Sequence, residues 1–178
     1  RSFLLTWGDF EQTPDSEIAA IAAKLRTSAS VTEQWSSGNR RDIAAGEQVF
    51  LLRQGNESPG IVGRGIVNRG SFDADHWDPE RRAQGAKAWY VMVDWYEMLP
   101  KGGVLSRDEL LRHGFPKSLL NAQASGVAIP EKAVESVRQL WVAHYEEAQS
   151  RREHGNRANP QGSGVPRLAR IAYNTAEW

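Results

Sequence analysis

EQVFLLRQGNESPGIVGRGIVNRG, residues 47–70, decides the fold. Residues 47–55 are nearly continuous in apolar side chains at their centre and are rich in β-formers, which predicts a strand. NESPG, 56–60, is a turn. Residues 61–70 form a second strand, whose glycines predict a bulge or a close backbone approach. So short a connection joins an antiparallel hairpin, because a parallel pair needs a crossover of a dozen or more residues.

Working outward, RSFLLTW (1–7) reads as an apolar strand and TPDSEIAAIAAKLR (13–26) as a helix. Pro14 suits a first helical position, and Ile18, Ile21, Ala22 and Leu25 recur at helical spacing. Residues 27–42 read as polar and turn-like, and 71–87 as a polar loop. AWYVMVDWYEML (88–99) predicts a third long strand, SRDELLRHG a short helix. From Pro130 a long amphipathic helix carries Val134, Val137, Leu140, Trp141, Tyr145 and Ala148 on its apolar stripe. The expected class is α+β: a small twisted β-barrel with flanking helices and a long C-terminal helix. Residues 1–154 are expected to form the domain. The Gly/Pro/Asn-rich remainder, 155–178, is expected to be a linker or tail.

The chain has 178 residues and no net charge, with 22 basic and 22 acidic side chains. Residues 1–150 carry 17 Lys+Arg against 20 Asp+Glu, net −3, and 151–178 carry 5 Arg against 2 Glu, net +3. A nucleic-acid partner would therefore have to be held by a local basic rim and a specific pocket, not by bulk charge. Zero cysteines exclude disulfides and Cys-based zinc sites, and fit a cytoplasmic protein. No apolar run approaches the roughly 18 residues of a membrane-spanning helix. The chain starts at Arg1 without a signal-like region and is expected to be a processed, tag-cleaved or excised fragment.

The four histidines, His76, His113, His144 and His154, fit no zinc motif. Nucleophile-elbow, Walker and dinucleotide signatures are missing too, so no catalytic residues, metal or cofactor are expected. Seven tryptophans are the stronger signal. Trp89, Trp95 and Trp141 have apolar neighbours and are expected in the core. Trp7, Trp35 and Trp77 sit at element ends among small or polar residues. They either lid the open ends of a barrel or form a cage for a planar ligand.

In TEQWSSGNRRDI (32–43), Trp35 offers a stacking face. Ser36, Ser37 and Asn39 offer donors and acceptors to a base edge. Arg40 and Arg41 are placed to take phosphates. Arg53, in mid-strand, is either a paired structural arginine or a pocket-lining guanidinium. Arg81, Arg82 and Lys87 are either a second phosphate rim or a solvated loop balanced by its acidic neighbours.

FLLTW, WSSGN (35–39), GEQVFLLRQG…PGIVGRGIV (46–67), DADHWDP (73–79), YVMVDWYEMLP (90–100) and QASGVAIP (123–130) occur in an order that resembles the EVE domain. That family belongs to the PUA-like superfamily and is related to the YTH domain. The resemblance is nearest to EVE-like modules fused to HNH nucleases in modification-dependent restriction systems. It implies a barrel of about five or six strands. It also implies a reader of a modified base, most often a modified cytosine (5-methyl or 5-hydroxymethyl), flipped from double-stranded DNA into an aromatic cage. Trp35 matches the cage tryptophan of the YTH loop. Trp7, Trp77 and Arg53 are expected with it at the base, and Gln123 and Ser125 are expected among the phosphate contacts. Gly8 departs from the Asn of these relatives and leaves the identity of the base open. An attached nuclease and a homodimer formed through it are further expectations of this likeness. An RNA-binding module, an N6-methyladenine reader and a protein-interaction domain with an aromatic cage are the alternatives. No membrane partner is expected.

Overall fold

The computed structural model describes residues 1–7, 15–55 and 57–157. The chain runs β1 (Ser2–Trp7), α1 (Asp15–Lys24), β2 (Val31–Gly38), β3 (Gln48–Arg53), β4 (Gly60–Asp75), α2 (Pro79–Ala83) and β5 (Lys87–Met98). A 3-10 turn, Lys101–Gly103, leads into β6 (Leu105–Ser106), α3 (Arg107–Arg112), α4 (Lys117–Leu120), β7 (Val127–Ala128) and α5 (Glu131–Arg157). The expected hairpin is present: β3 pairs antiparallel with β4, Leu51 opposite Gly63. Gly63 and Gly65 allow the close approach their spacing predicts. A Cβ at Gly63 would come within 2.7 Å of the Met98 sulfur, and one at Gly65 within 2.9 Å of the Trp95 ring.

The described strands form one sheet in the order β2-β5-β4-β3-β1-β7, with β6 beside β4. β1 runs parallel to β3, while the other pairings are antiparallel. The expected barrel of five or six strands is corrected to this open, seven-stranded sheet, because no backbone ladder joins β2 to the β1–β7 end. Side chains bridge that seam instead. The Trp35 indole N–H donates to the Thr6 carbonyl at 3.2 Å. The Ser125 hydroxyl accepts from the Thr6 N–H at 3.1 Å and donates to the Ser36 carbonyl at 2.6 Å.

The sheet is covered on both faces. Phe3, Leu5, Val49, Leu51 and Trp95 pack with α1 in one cluster, and Leu4, Phe50, Leu52 and Trp141 pack with α3, α4 and α5 in the other. Strands buried on both sides read as unbroken apolar runs, which explains FLL in β1 and VFLL in β3. Glu97 ties α5 to the sheet. It accepts from the Arg64 Nε and Nη2, at 2.8 and 2.9 Å, and from the Trp141 indole N–H at 2.6 Å.

Three local expectations are corrected. Residues 31–38 are a strand, not a turn: Val31, Glu33, Trp35 and Ser37 alternate with more exposed neighbours until the bulge at Ser36–Gly38. The 71–87 loop is shorter than expected, since β4 continues to Asp75 and Asp78 caps α2 by accepting from the Glu80 and Arg81 N–H groups. Trp95 and Trp141 are buried as expected, whereas Trp89 is half-buried, with the Arg41 guanidinium 4.9 Å over its ring. α5 extends to Arg157; Gly8 and the tail from 158 lie outside the described residues. Among the described residues, no helix is long and apolar enough to cross a membrane.

Candidate functional site

A cavity of about 680 Å³ opens beside the bridged seam. The end of β1 supplies Thr6 and Trp7, α1 supplies Glu17, Ala20, Ile21 and Lys24, and β2 supplies Glu33 through Ser36. Gln54, Trp77, Tyr90 and the Gln123–Ser125 segment complete the wall. All three tryptophans singled out by sequence thus line one cavity.

Each is held differently. Trp7 is only 3% exposed, and the Arg53 guanidinium lies 5.2 Å from its ring centroid. Trp35 is half-buried, meets Trp95 edge-to-face at 5.6 Å and 81°, and is pinned by its bond to Thr6. Such a ring loses little further freedom on binding, which favours affinity. Trp77 is 47% exposed, beside His76. Tyr90 donates its hydroxyl to the Asp75 carbonyl at 2.9 Å. Burial pushes its phenol pKa up.

Ser36, Gln123 and Ser125 also line the cavity, although sequence reading placed the last two with phosphate. Ser125 uses its hydroxyl in the seam. Ser37 is fully buried and donates to the Arg40 carbonyl at 3.0 Å, and Asn39 is exposed; neither reaches the cavity wall. Arg53 stands behind Trp7, not in the cavity, bonded to the Ser58 carbonyl at 3.4 Å with Asp15 at 3.6 Å. It fits the paired structural reading.

Among the expected phosphate contacts, Arg40 lies 2.8 Å from Asp42 and over Phe3. Lys87 pairs with Asp75 at 2.5 Å; this contact raises the lysine pKa and lowers that of the carboxyl. Arg41, Arg81 and Arg82 are exposed, and among the described residues no carboxylate lies within ion-pair distance of them. Sequence reading missed Glu33, Gln34, Gln54 and Tyr90 in the wall, and Arg69, whose guanidinium sits 4.1 Å over Phe72. The signal for Glu33 was its place two residues before Trp35, which puts both on one side of a strand.

No protein-family model matches the sequence, and no curated protein matches it either. Solved structures do. Protein PSPTO5229 from Pseudomonas syringae superposes with a TM-score of 0.55 at 15% identity, over 81% of this chain and 99% of its own. The DUF55 domain of human thymocyte nuclear protein 1 gives 0.52 at 16%, over 79% and 98%. Human THYN1 protein in complex with DNA containing 5-methylcytosine gives 0.52 at 16%, over 78% and 96%. At these identities the likeness establishes a shared fold with the DUF55 domain and no more than the fold.

Proposed function

We propose that this chain reads a modified base, a modified cytosine in double-stranded DNA, turned out of the helix into the cavity between Trp7, Trp35 and Trp77. The observation that carries the reading is the convergence of these rings on one cavity with a polar wall. Its size falls within the roughly 300–1,000 Å³ of small-ligand sites, which suits a single flipped base. Flipping costs a few kcal/mol, and each base–aromatic stack returns about 1–3 kcal/mol, so more than one ring is needed to make extrusion favourable. The overall neutrality of the chain leaves backbone contacts to exposed cations, for which Arg41, Arg69, Arg81 and Arg82 are the candidates. The DNA bound by the THYN1 protein of the same fold supports a DNA partner carrying 5-methylcytosine. Cleavage, if coupled to recognition, would be the work of another domain or protein.

The test is a binding titration with duplexes identical except for one cytosine, 5-methylcytosine, 5-hydroxymethylcytosine or N6-methyladenine, with single-stranded RNA as competitor. One buried methyl is worth about 1–3 kcal/mol, so 5-methylcytosine should bind at least about tenfold tighter than cytosine. Equal affinity across the duplexes refutes base reading, and preferential competition by RNA refutes the DNA assignment.

A further inference from the structure

The aromatic walls leave one chemical question open. 5-Methylcytosine and thymine carry the same methyl group and nearly the same ring face. Stacking and methyl burial cannot tell them apart. Only the polar edge differs, where cytosine presents an amino group and thymine a carbonyl oxygen at the same position.

The cavity wall is rich in acceptors. Glu33 brings a carboxylate from β2, two residues before Trp35 and half-buried, with Glu17 contributing a second from α1. Gln54 and Gln123 direct their amide nitrogens to the main-chain carbonyls of Ala122 and Asn121, at 2.5 and 3.2 Å. The Ser36 hydroxyl oxygen accepts from the Gly38 N–H at 3.2 Å. Lys24 is the cation of this wall, with its Nζ 4.0 Å from the Glu33 carboxylate, at the edge of ion-pair range. A donor on a ligand entering here finds carboxylate oxygens in reach, beside the Lys24 ammonium. Of the two carboxylates, Glu33 shares its strand and its side of that strand with the stacking ring, whereas Glu17 is exposed on the helix.

We propose that Glu33 is a specificity determinant: its carboxylate accepts a hydrogen bond from the exocyclic amine of the bound base and so admits cytosine-type bases while rejecting thymine. The inference rests on the base-reading function above and deepens it. With an amino base, Glu33 gains a charge-assisted bond. With thymine, two acceptors face one another, so the same side chain repels the wrong base as well as holding the right one.

The test uses the whole chain and three duplexes differing at one position: 5-methylcytosine opposite guanine, cytosine opposite guanine, and thymine opposite guanine. The thymine mismatch flips more cheaply than a true pair, so the comparison is biased against the proposal. The wild type should prefer 5-methylcytosine over thymine by about tenfold or more. Glu33→Gln, which keeps the shape and can donate to a carbonyl, should bring those two affinities together with its thermal midpoint unchanged. It should retain the preference for 5-methylcytosine over cytosine. A wild type that binds the two methylated pyrimidines equally overturns the proposal. So does a Glu33→Gln variant that keeps the full preference, or one that weakens all three duplexes by the same factor. A wild type that cannot separate 5-methylcytosine from cytosine overturns reading of the 5-methyl group, the part of the proposed function this inference rests on, which is a different and recognisable result.

Discussion

Ser125→Ala probes the seam that shapes the cavity. The hydroxyl joins β1, next to last in the sheet path, to β2 at its opposite end, accepting from the Thr6 N–H and donating to the Ser36 carbonyl. β7 pairs with β1 only at Phe3 and Leu4, so beyond Leu4 no strand covers this edge. Ser125 takes the Thr6 N–H there and the Trp35 indole takes the Thr6 carbonyl. Deleting the hydroxyl leaves two main-chain groups without partners, each costing about 1–3 kcal/mol when fully desolvated. The seam borders an open cavity and water can reach part of it, so we expect a loss of about 2 kcal/mol in all. For a domain of this size that is a fall of about 4–8 °C in the thermal midpoint. Differential scanning calorimetry measures it, and hydrogen exchange localises it, because the Thr6 amide should lose protection before other β1 amides do. Affinity for the modified duplex should fall as well, since the Trp35 strand then keeps only the indole bond to Thr6 across the seam. An unchanged midpoint together with an unchanged Thr6 exchange rate would refute the seam as a structural closure.

Trp77→Ala should weaken binding of the modified duplex by about 1–3 kcal/mol, through lost stacking. Its stability should stay near wild type because the ring is 47% exposed; titration beside a melt checks both. Arg41→Ala combined with Arg69→Ala should weaken modified and unmodified duplexes alike and reduce the slope of log affinity against log salt by about 2, as two lost phosphate contacts would. If only the modified duplex suffers, these arginines read the base instead. Glu97→Ala should cost about 3–5 kcal/mol in urea unfolding, because it strands the buried Arg64 guanidinium. It also frees α5, since Glu97 is the acceptor of the Trp141 indole.

The strands of this fold were legible where burial on both faces leaves only apolar choices, as in β1 and β3, and where residue type alone marks a long β-run, as in β5. They were illegible where a strand serves the cavity. β2 is an edge strand, and one side of it, at Glu33, meets the cavity instead of the core. A polar side chain there breaks the alternation that identifies a strand, and the segment reads as a turn. The closure of the sheet was illegible for a related reason. The expected barrel needs a β1–β2 ladder, and whether two strands reach hydrogen-bonding distance depends on twist and bulges summed over the sheet. β4 alone shows three register shifts against β5.

The same limit governs the site. Trp7, Trp35 and Trp77 stood out because large aromatics beside small polar residues are unusual, and all three line the cavity. Arg53 stood out too, since a buried arginine in an apolar strand must be paired. Sequence could pose that question but not answer it, because its partners come from α1 and the β3–β4 turn. The answer bears on the proposed function: a buried cation 5.2 Å from the Trp7 ring centroid would hold one cavity wall in place ahead of a ligand. Arg53→Met keeps much of the packing volume but removes both the charge and the fork that bonds the Ser58 carbonyl. If Arg53 serves only to fill space, this variant should bind like the wild type. If it orients Trp7, affinity should fall further than stability does, and near-ultraviolet circular dichroism of the tryptophans should change with it.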